Sequence, residues 1–132
     1  MEDVFIARLM TAGATTVTPE TSVEEAAQVM LEQEIGSVIV VDEEGRLAGI
    51  LTTTDFVRIV AERQPKDEST VAEFMTTDVV TASAQDVVTD VAERLLEHRI
   101  HHIPVVTDDD HIIGIATTTD LTSYVTTLEE YE

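Results

Sequence analysis

The chain contains an internal repeat whose period is about 65 residues, close to half of its 132 residues. Residues 35–56 align without a gap to residues 100–121, and nine of these 22 pairs are identical. A complete Thr-Thr-Thr-Asp block recurs at 52–55 and 117–120. Because self-similarity at a fixed period is typical of repeated structural units, the sequence predicts a tandem duplication.

Each half is predicted to fold in the order β-α-β-β-α. Ser22, with Glu25 three residues later, has the spacing of a helix capping box, and Gly36 is a candidate helix stop. After each helix a β-branched strand enters a hairpin that leads to the second helix at the threonine block. The predicted extended pieces and strands are Thr16–Thr18, 38–41 and 47–51 in the first half, and Val79–Thr81, 103–106 and 112–116 in the second. The repeat register is expected to be lost in the loops before Thr16 and Val79, through insertions and deletions of two residues.

The fold class expected is α+β with α/β-type layers, in which the two repeats pack with approximate two-fold symmetry. The boundaries are repeat 1 at 1–63, a polar linker at 64–72 and repeat 2 at 73–132. One half has a sheet too small to bury its own apolar face, so two halves are expected to close on each other. A cleft between them would suit a small ligand.

The composition is strongly acidic, with 7 Lys+Arg against 27 Asp+Glu and a net charge of -20. Such a surface excludes nucleic acid as a partner, and no apolar run is long enough for a bilayer span. Without Cys there is no disulfide, thiol nucleophile or thiolate metal site. Acidic, lysine-poor composition resembles proteins of salt-in halophilic microbes, whose self-repulsion is screened at molar salt. That predicts a high-potassium cytoplasm.

The threonine block has two interpretations. A helix start presents free N–H groups that suit a phosphate, Thr52 and Thr117 can donate further bonds, and Asp55 and Asp120 can accept ribose hydroxyls. The same spacing is also a capping box, in which each carboxylate satisfies only its own helix.

Taken together, the Gly-x-x-Thr-x-x-Asp motifs, the Leu-Met and Phe-Met pairs and the strand His101–Val106 resemble the CBS domain family in its tandem form, the Bateman module. The resemblance implies a homodimer and an adenosine ligand, such as AMP, ADP, ATP or S-adenosylmethionine. It assigns the two threonines to phosphate and the two aspartates to ribose. It also implies that further residues line the adenine slot and its wall: Thr16, Val17, Val79, Val80, Gly36, Ser37, Val38, His101, His102, Ile103 and Pro104. Since the halves differ at 36–37 against 101–102, and at Ile39 against Pro104, the two sites are chemically unequal.

Several side chains keep two interpretations. His101 and His102 either bind phosphate or stay structural, and only one of two adjacent strand residues points inward. Arg94 and Arg99 either bind phosphate or, as is favoured, lie on a solvated helix face, paired with Glu93 and Glu97. No metal site is expected, and the apolar residues at 56, 59, 60, 121, 124 and 125 are expected to form a dimer face.

Three functions remain open at the level of sequence. The first is a regulatory module that binds an adenosine ligand between the repeats and signals to a partner protein that the sequence does not identify. The second is an interaction or dimerisation scaffold with no nucleotide bound. An enzyme is disfavoured, because no nucleophile–base pair, metal set or glycine-rich phosphate loop is present, so no catalytic residue is assigned.

Overall fold

The computed structural model describes residues 4–62 and 69–127. Residues 64–68 of the expected linker therefore lie outside the described residues. The chain divides into two compact units. Thr15–Val79 form one, here called the central unit, and Met1–Ala14 with Val80–Glu132 form the other, the terminal unit. The units are offset from the sequence repeats, because each contains the Met-Thr segment that precedes the other repeat.

The described residues contain six strands and five α-helices, in agreement with the mixed fold class expected. In chain order, after a turn of 3-10 helix at Ile6–Arg8, the elements are β1 (Thr11–Ala12), β2 (Thr16–Val17), α1 (Val23–Gln33), β3 (Ser37–Val41), β4 (Leu47–Thr52), α2 (Thr53–Ala61), α3 (Val71–Phe74), α4 (Val88–His98), β5 (His102–Val106), β6 (Ile112–Thr117) and α5 (Thr118–Thr126).

The two units have sheets built on the same plan. In the central unit β3 lies between a parallel β2 and an antiparallel β4, and Ile50 of β4 forms an antiparallel bridge with Thr76. In the terminal unit β6 lies between β5 and β1, and Ala82 forms a parallel bridge with Val105 of β5. The hairpins predicted from the alternation of strands and turns are confirmed in both units.

The repeat keeps its shift of 65 residues through the loops, so the expected slip of two residues is wrong. Val17 pairs with Val40, and Ala82 occupies the corresponding place opposite Val105. The residues equivalent to Thr16 and Val17 are therefore 81 and 82, rather than Val79 and Val80. The extended piece predicted at Val79–Thr81 is not a strand in the structure. One reason is that Pro104 has no N–H, whereas Ile39 donates its N–H to Thr15 O.

The first helix of each unit ends on a left-handed residue. Glu34 has φ 54° and Arg99 has φ 55°, and each follows the last helical residue directly. Glycine usually takes this position, which is why Gly36 was the expected stop. The start of α1 is as predicted, since the Glu25 N–H donates to Ser22 Oγ at 3.0 Å.

Each unit has its own apolar core between sheet and helices. The central core includes Val38, Val40 and Leu51, and the terminal core includes Ile103 and Val105. A glycine in the last strand of each hairpin lets a methionine lie against the sheet. A Cβ at Gly49 would stand 2.7 Å from Met75 Sδ and 2.8 Å from Thr76 O, and a Cβ at Gly114 would meet Met10 and Thr11 at similar distances.

Candidate functional site

The threonine block of the central unit is closed around Asp55. Asp55 Oδ2 accepts the Thr52 N–H at 2.8 Å and the Thr52 hydroxyl at 3.2 Å. Asp55 Oδ1 forms an ion pair with Arg58 Nη1 at 3.0 Å. The aspartate is only 5% exposed. Both of its oxygens are therefore held by groups of its own helix and cap.

The threonine block of the terminal unit has the same cap and lacks the ion pair. Asp120 Oδ2 accepts the Thr117 N–H at 2.9 Å, and Thr117 Oγ1 accepts the Asp120 N–H at 3.2 Å. Position 123, equivalent to Arg58, is serine. Asp120 is half-buried, and within residues 4–62 and 69–127 its Oδ1 accepts no hydrogen bond.

The strand that enters each sheet lies beside the threonine block. In the central unit Gly36 O accepts the Thr53 N–H at 3.1 Å, and Ser37 pairs with Thr52. Ser37 is buried. The structure thus brings three of the expected wall and phosphate positions together at one corner of the central sheet.

The corresponding corner of the terminal unit carries two histidines. His101 O accepts the Thr118 N–H at 3.0 Å, and His102 pairs with Thr117. His101 is exposed and His102 is half-buried. Burial, together with the nearby His101, lowers the pKa of His102, while the Asp120 carboxylate acts in the opposite direction. His102 and Asp120 therefore lie within electrostatic reach of each other.

Three of the expected wall residues have side chains in the cores. Val38 and Ile103 are fully buried in the two apolar clusters, and Pro104 is fully buried in the terminal strand β5. Only their backbones can contribute to a ligand site. Thr16 is exposed, and Val17, Val79 and Val80 are half-buried. Residues 81 and 82, the structural equivalents of Thr16 and Val17, were missed because the loop register was misread.

Arg94 is not paired with Glu93 or Glu97, contrary to expectation, and its side chain is only 33% exposed. Its Nη1 bonds Asp86 Oδ2 at 2.7 Å and Thr81 O at 3.2 Å. The Ser83 N–H also donates to Asp86, and these bonds lower the pKa of that carboxyl. Arg94 thereby ties α4 to the backbone of the loop that includes residue 81.

The central unit closes its equivalent loop without charges. The Thr18 N–H donates to Thr21 Oγ1 at 3.1 Å, where the terminal unit uses Ser83 and Asp86. The position equivalent to Arg94 is Val29. The two loops therefore share a shape and differ in polarity.

Other features of the described ranges bear on the class of function. Across residues 4–62 and 69–127, no three His, Asp or Glu side chains are grouped so that they could hold a metal ion. Within the same ranges, no helix has the length and apolar character needed to cross a bilayer. Of the expected dimer face, Val60 and Val125 are exposed, whereas Ile59 and Tyr124 are buried in the chain and cannot belong to it.

The family model of the CBS domain matches the chain twice, over residues 6–62 and 71–127. This chain belongs to the CBS domain family. The two matches confirm the tandem family resemblance inferred from the motifs, and they span both threonine blocks.

Solved structures of CBS domain pairs resemble the whole fold. The CBS domain pair of protein MJ0100, crystallised with 5'-methylthioadenosine and S-adenosyl-L-methionine, is 28% identical with a TM-score of 0.87, and the match covers 95% of this chain and 98% of that one. An uncharacterized conserved protein from Pyrococcus horikoshii is 31% identical with a TM-score of 0.87, with 95% of both chains covered.

Curated relatives include both small CBS proteins and enzymes. The CBS domain-containing protein YhcV of Bacillus subtilis is 30% identical, over 85% of this chain and 79% of its own length. The L-aspartate semialdehyde sulfurtransferase of Methanocaldococcus jannaschii is 34% identical over 76% of this chain. The chain spans only about a fifth of the length of that enzyme, at 19%. The likeness to it is therefore a likeness to one region of a larger protein.

Proposed function

We propose that this CBS domain pair is a regulatory module that binds an adenosine-containing ligand and has no catalytic activity of its own. The observation that carries the proposal is the open carboxylate oxygen of Asp120 beside a helix start rich in hydroxyls. The related domain pair crystallised with methylthioadenosine and S-adenosylmethionine supports this ligand class. AMP, ADP and ATP share the same adenosine group and are the other candidates.

The roles we propose follow from the residues that meet in the terminal unit, where His101 and His102 lie beside the block Thr117–Asp120. Asp120 Oδ1 accepts a ribose hydroxyl, because a carboxylate oxygen without a partner is a strong acceptor. The Thr117 hydroxyl and the positive dipole end of α5 hold a phosphate or another polar substituent of the ligand. His101 and His102 form the adjoining wall.

We further propose that the module acts in a high-potassium cytoplasm, as a homodimer, on a partner protein of unidentified class. The charge of -20 supports the first point, since molar salt screens self-repulsion. Exposed apolar side chains, such as Leu31 at 78% and Leu96 at 79% exposure, support the second. A scaffold without nucleotide is the second candidate, because the same exposed side chains would serve it equally well.

Thermal unfolding with a ligand panel tests the proposal. The melting temperature is measured in 0.1 M to 3 M KCl, alone and with millimolar AMP, ADP, ATP, S-adenosylmethionine or 5'-methylthioadenosine. We expect the unliganded melting temperature to rise with KCl, and at least one adenosine compound to raise it further by mass action. Guanosine and cytidine are the controls. If no adenosine compound shifts the transition, the scaffold replaces the sensor.

A further inference from the structure

The two threonine blocks differ at the residue three positions after the aspartate. In α2 this residue is Arg58, and its guanidinium bonds Asp55 Oδ1 at 3.0 Å. In α5 it is Ser123, which is exposed and makes no side-chain bond to Asp120 in the described residues. The caps around the aspartates are otherwise alike, since both accept the N–H of the threonine three residues earlier.

The ion pair at Asp55 competes directly with a ribose. Its Oδ2 is held by the N–H and hydroxyl of Thr52, so Oδ1 is the atom that a ribose diol would need. The diol must displace a guanidinium, and a charge-assisted bond would be exchanged for one to a neutral hydroxyl. Since Asp55 is only 5% exposed, there is little room for a hydroxyl to approach beside Arg58.

In the terminal unit the position equivalent to Arg58 lies in an open groove. This groove of about 260 Å³ runs along α5, and it is lined by Thr118, Thr119, Thr122, Ser123 and Thr126. An arginine at position 123 could extend from this groove to Asp120, as Arg58 extends to Asp55 over the same three-residue spacing. Serine leaves the carboxylate accessible.

We infer that Arg58 blocks the ribose-binding carboxylate of the central unit, so that one chain binds a single adenosine ligand, at Asp120. The inference rests on the proposed function and assigns to one side chain the difference in occupancy between the repeats. Arg58 competes with the ribose for Asp55 Oδ1, whereas Ser123, at the equivalent position, leaves Asp120 Oδ1 available.

Reciprocal exchange of the two residues tests this inference. Isothermal titration in 2 M KCl uses whichever panel compound gives the largest thermal shift, with the wild type, Arg58→Ser, Ser123→Arg and the control Arg46→Ser. Arg46 pairs with the exposed Glu44 in the first hairpin, so its replacement removes one positive charge elsewhere. We expect one ligand per chain for the wild type and the control. Arg58→Ser is expected to bind two, and Ser123→Arg to bind at least tenfold more weakly than the wild type.

The outcomes separate the inference from the proposed function. If the wild type binds no adenosine compound, the proposed function fails. If it binds, while Arg58→Ser keeps a stoichiometry of one and Ser123→Arg keeps the wild-type affinity, only the inference fails. Weaker binding in Arg58→Ser than in Arg46→Ser would make Arg58 a ligand contact and would also overturn it. Both substitutions lie on exposed helix surface, so circular dichroism is expected to show folded variants, and Ser123→Arg decides alone if Arg58→Ser does not fold.

Discussion

In the central unit the aspartate of the threonine block is paired with an arginine on its own helix, whereas in the terminal unit it lies near a histidine on the neighbouring strand. The backbones around these aspartates are equivalent. The strands end at the equivalent residues Thr52 and Thr117, and both helices start with the same reciprocal cap. The repeats thus share the bonds that build the corner and differ in the side chains that reach the carboxylate.

The comparison shows which parts of a duplicated unit are free to change. The hydrogen bonds that fix the hairpin and the helix start recur at a shift of 65 residues. The packing of a methionine against a strand glycine recurs as well. The charged groups recur much less, since Arg58, His102 and Arg94 correspond to Ser123, Ser37 and Val29. A second copy can therefore keep the fold while its site acquires another polarity.

Substitution of Gly49 and Gly114 tests whether the two units depend equally on the packing of a methionine against the sheet. Gly49→Ala and Gly114→Ala each place a Cβ at less than 3 Å from a methionine Sδ and a backbone oxygen. We expect each to lower the free energy of unfolding by about 1–3 kcal/mol, because the backbone oxygen cannot move aside easily. Chemical denaturation in 2 M KCl measures the loss.

The methionine supplies the control for this experiment. Adding Met75→Ala to Gly49→Ala removes the side-chain contact and leaves the one to Thr76 O at 2.8 Å. The double variant is expected to stay less stable than Met75→Ala alone. Full recovery to the level of Met75→Ala, or a large difference between the two glycine variants, would contradict the equivalence.

Removal of Asp55 is expected to reduce mainly stability, whereas removal of Asp120 is expected to reduce mainly ligand affinity. Asp55→Ala removes a cap and leaves Arg58 without its buried partner, so it should lower the free energy of unfolding by about 2 kcal/mol. Asp120→Ala removes only a cap, for about 1 kcal/mol, but should weaken adenosine binding at least tenfold. Chemical denaturation and ligand titration of both variants measure the two losses. Equal losses of affinity would mean that both carboxylates, or neither, contact the ligand.

His102 gives the smallest effect, on the pH dependence of stability. Its pKa in the folded chain is lowered from 6.5, so the unfolded chain binds more protons as the pH falls below about 6.5. Stability is therefore expected to fall between pH 7 and pH 5, and less so in His102→Ser, which introduces the residue of the central unit. The lowered pKa of Asp86 acts below 3.8 and so lies outside this window.

The control for the pH experiment is His98→Gln, a change at the exposed end of α4. Melting temperatures are compared at pH 5, 6 and 7 in 2 M KCl. The His98 variant should keep the wild-type slope. If His102→Ser also keeps it, burial of His102 does not govern stability in this range.

Much of the fold could be predicted from the sequence because its signals are local or repeated. The strands follow from β-branched runs, and the caps at Ser22 and the threonine blocks follow from spacing alone. The loop register could not be predicted so easily. It depends on bridges between distant residues, such as Ala82 with Val105, and no local pattern marks them. The left-handed Glu34 and Arg99 were missed because glycine is the usual residue there.

The sequence predicted that the two sites are chemically unequal, from positions 36–37 against 101–102 and from Ile39 against Pro104, but it did not predict that one carboxylate is paired. The motif letters at 52–55 and 117–120 are identical, so they cannot indicate that one carboxylate is paired. The signal that could have shown this was Arg58, three residues after Asp55 and without a counterpart at position 123. The role of Arg94 depends on its distance to Asp86 and to Thr81 O, which are remote in sequence.

A crystal structure grown with S-adenosylmethionine and AMP in molar KCl tests the central claim most directly. The account predicts one adenosine group per chain, with a ribose hydroxyl within hydrogen-bonding distance of Asp120 Oδ1 and the Arg58–Asp55 pair still formed. A ribose bound to Asp55, or a ligand that leaves the Asp120 carboxylate uncontacted, would contradict it.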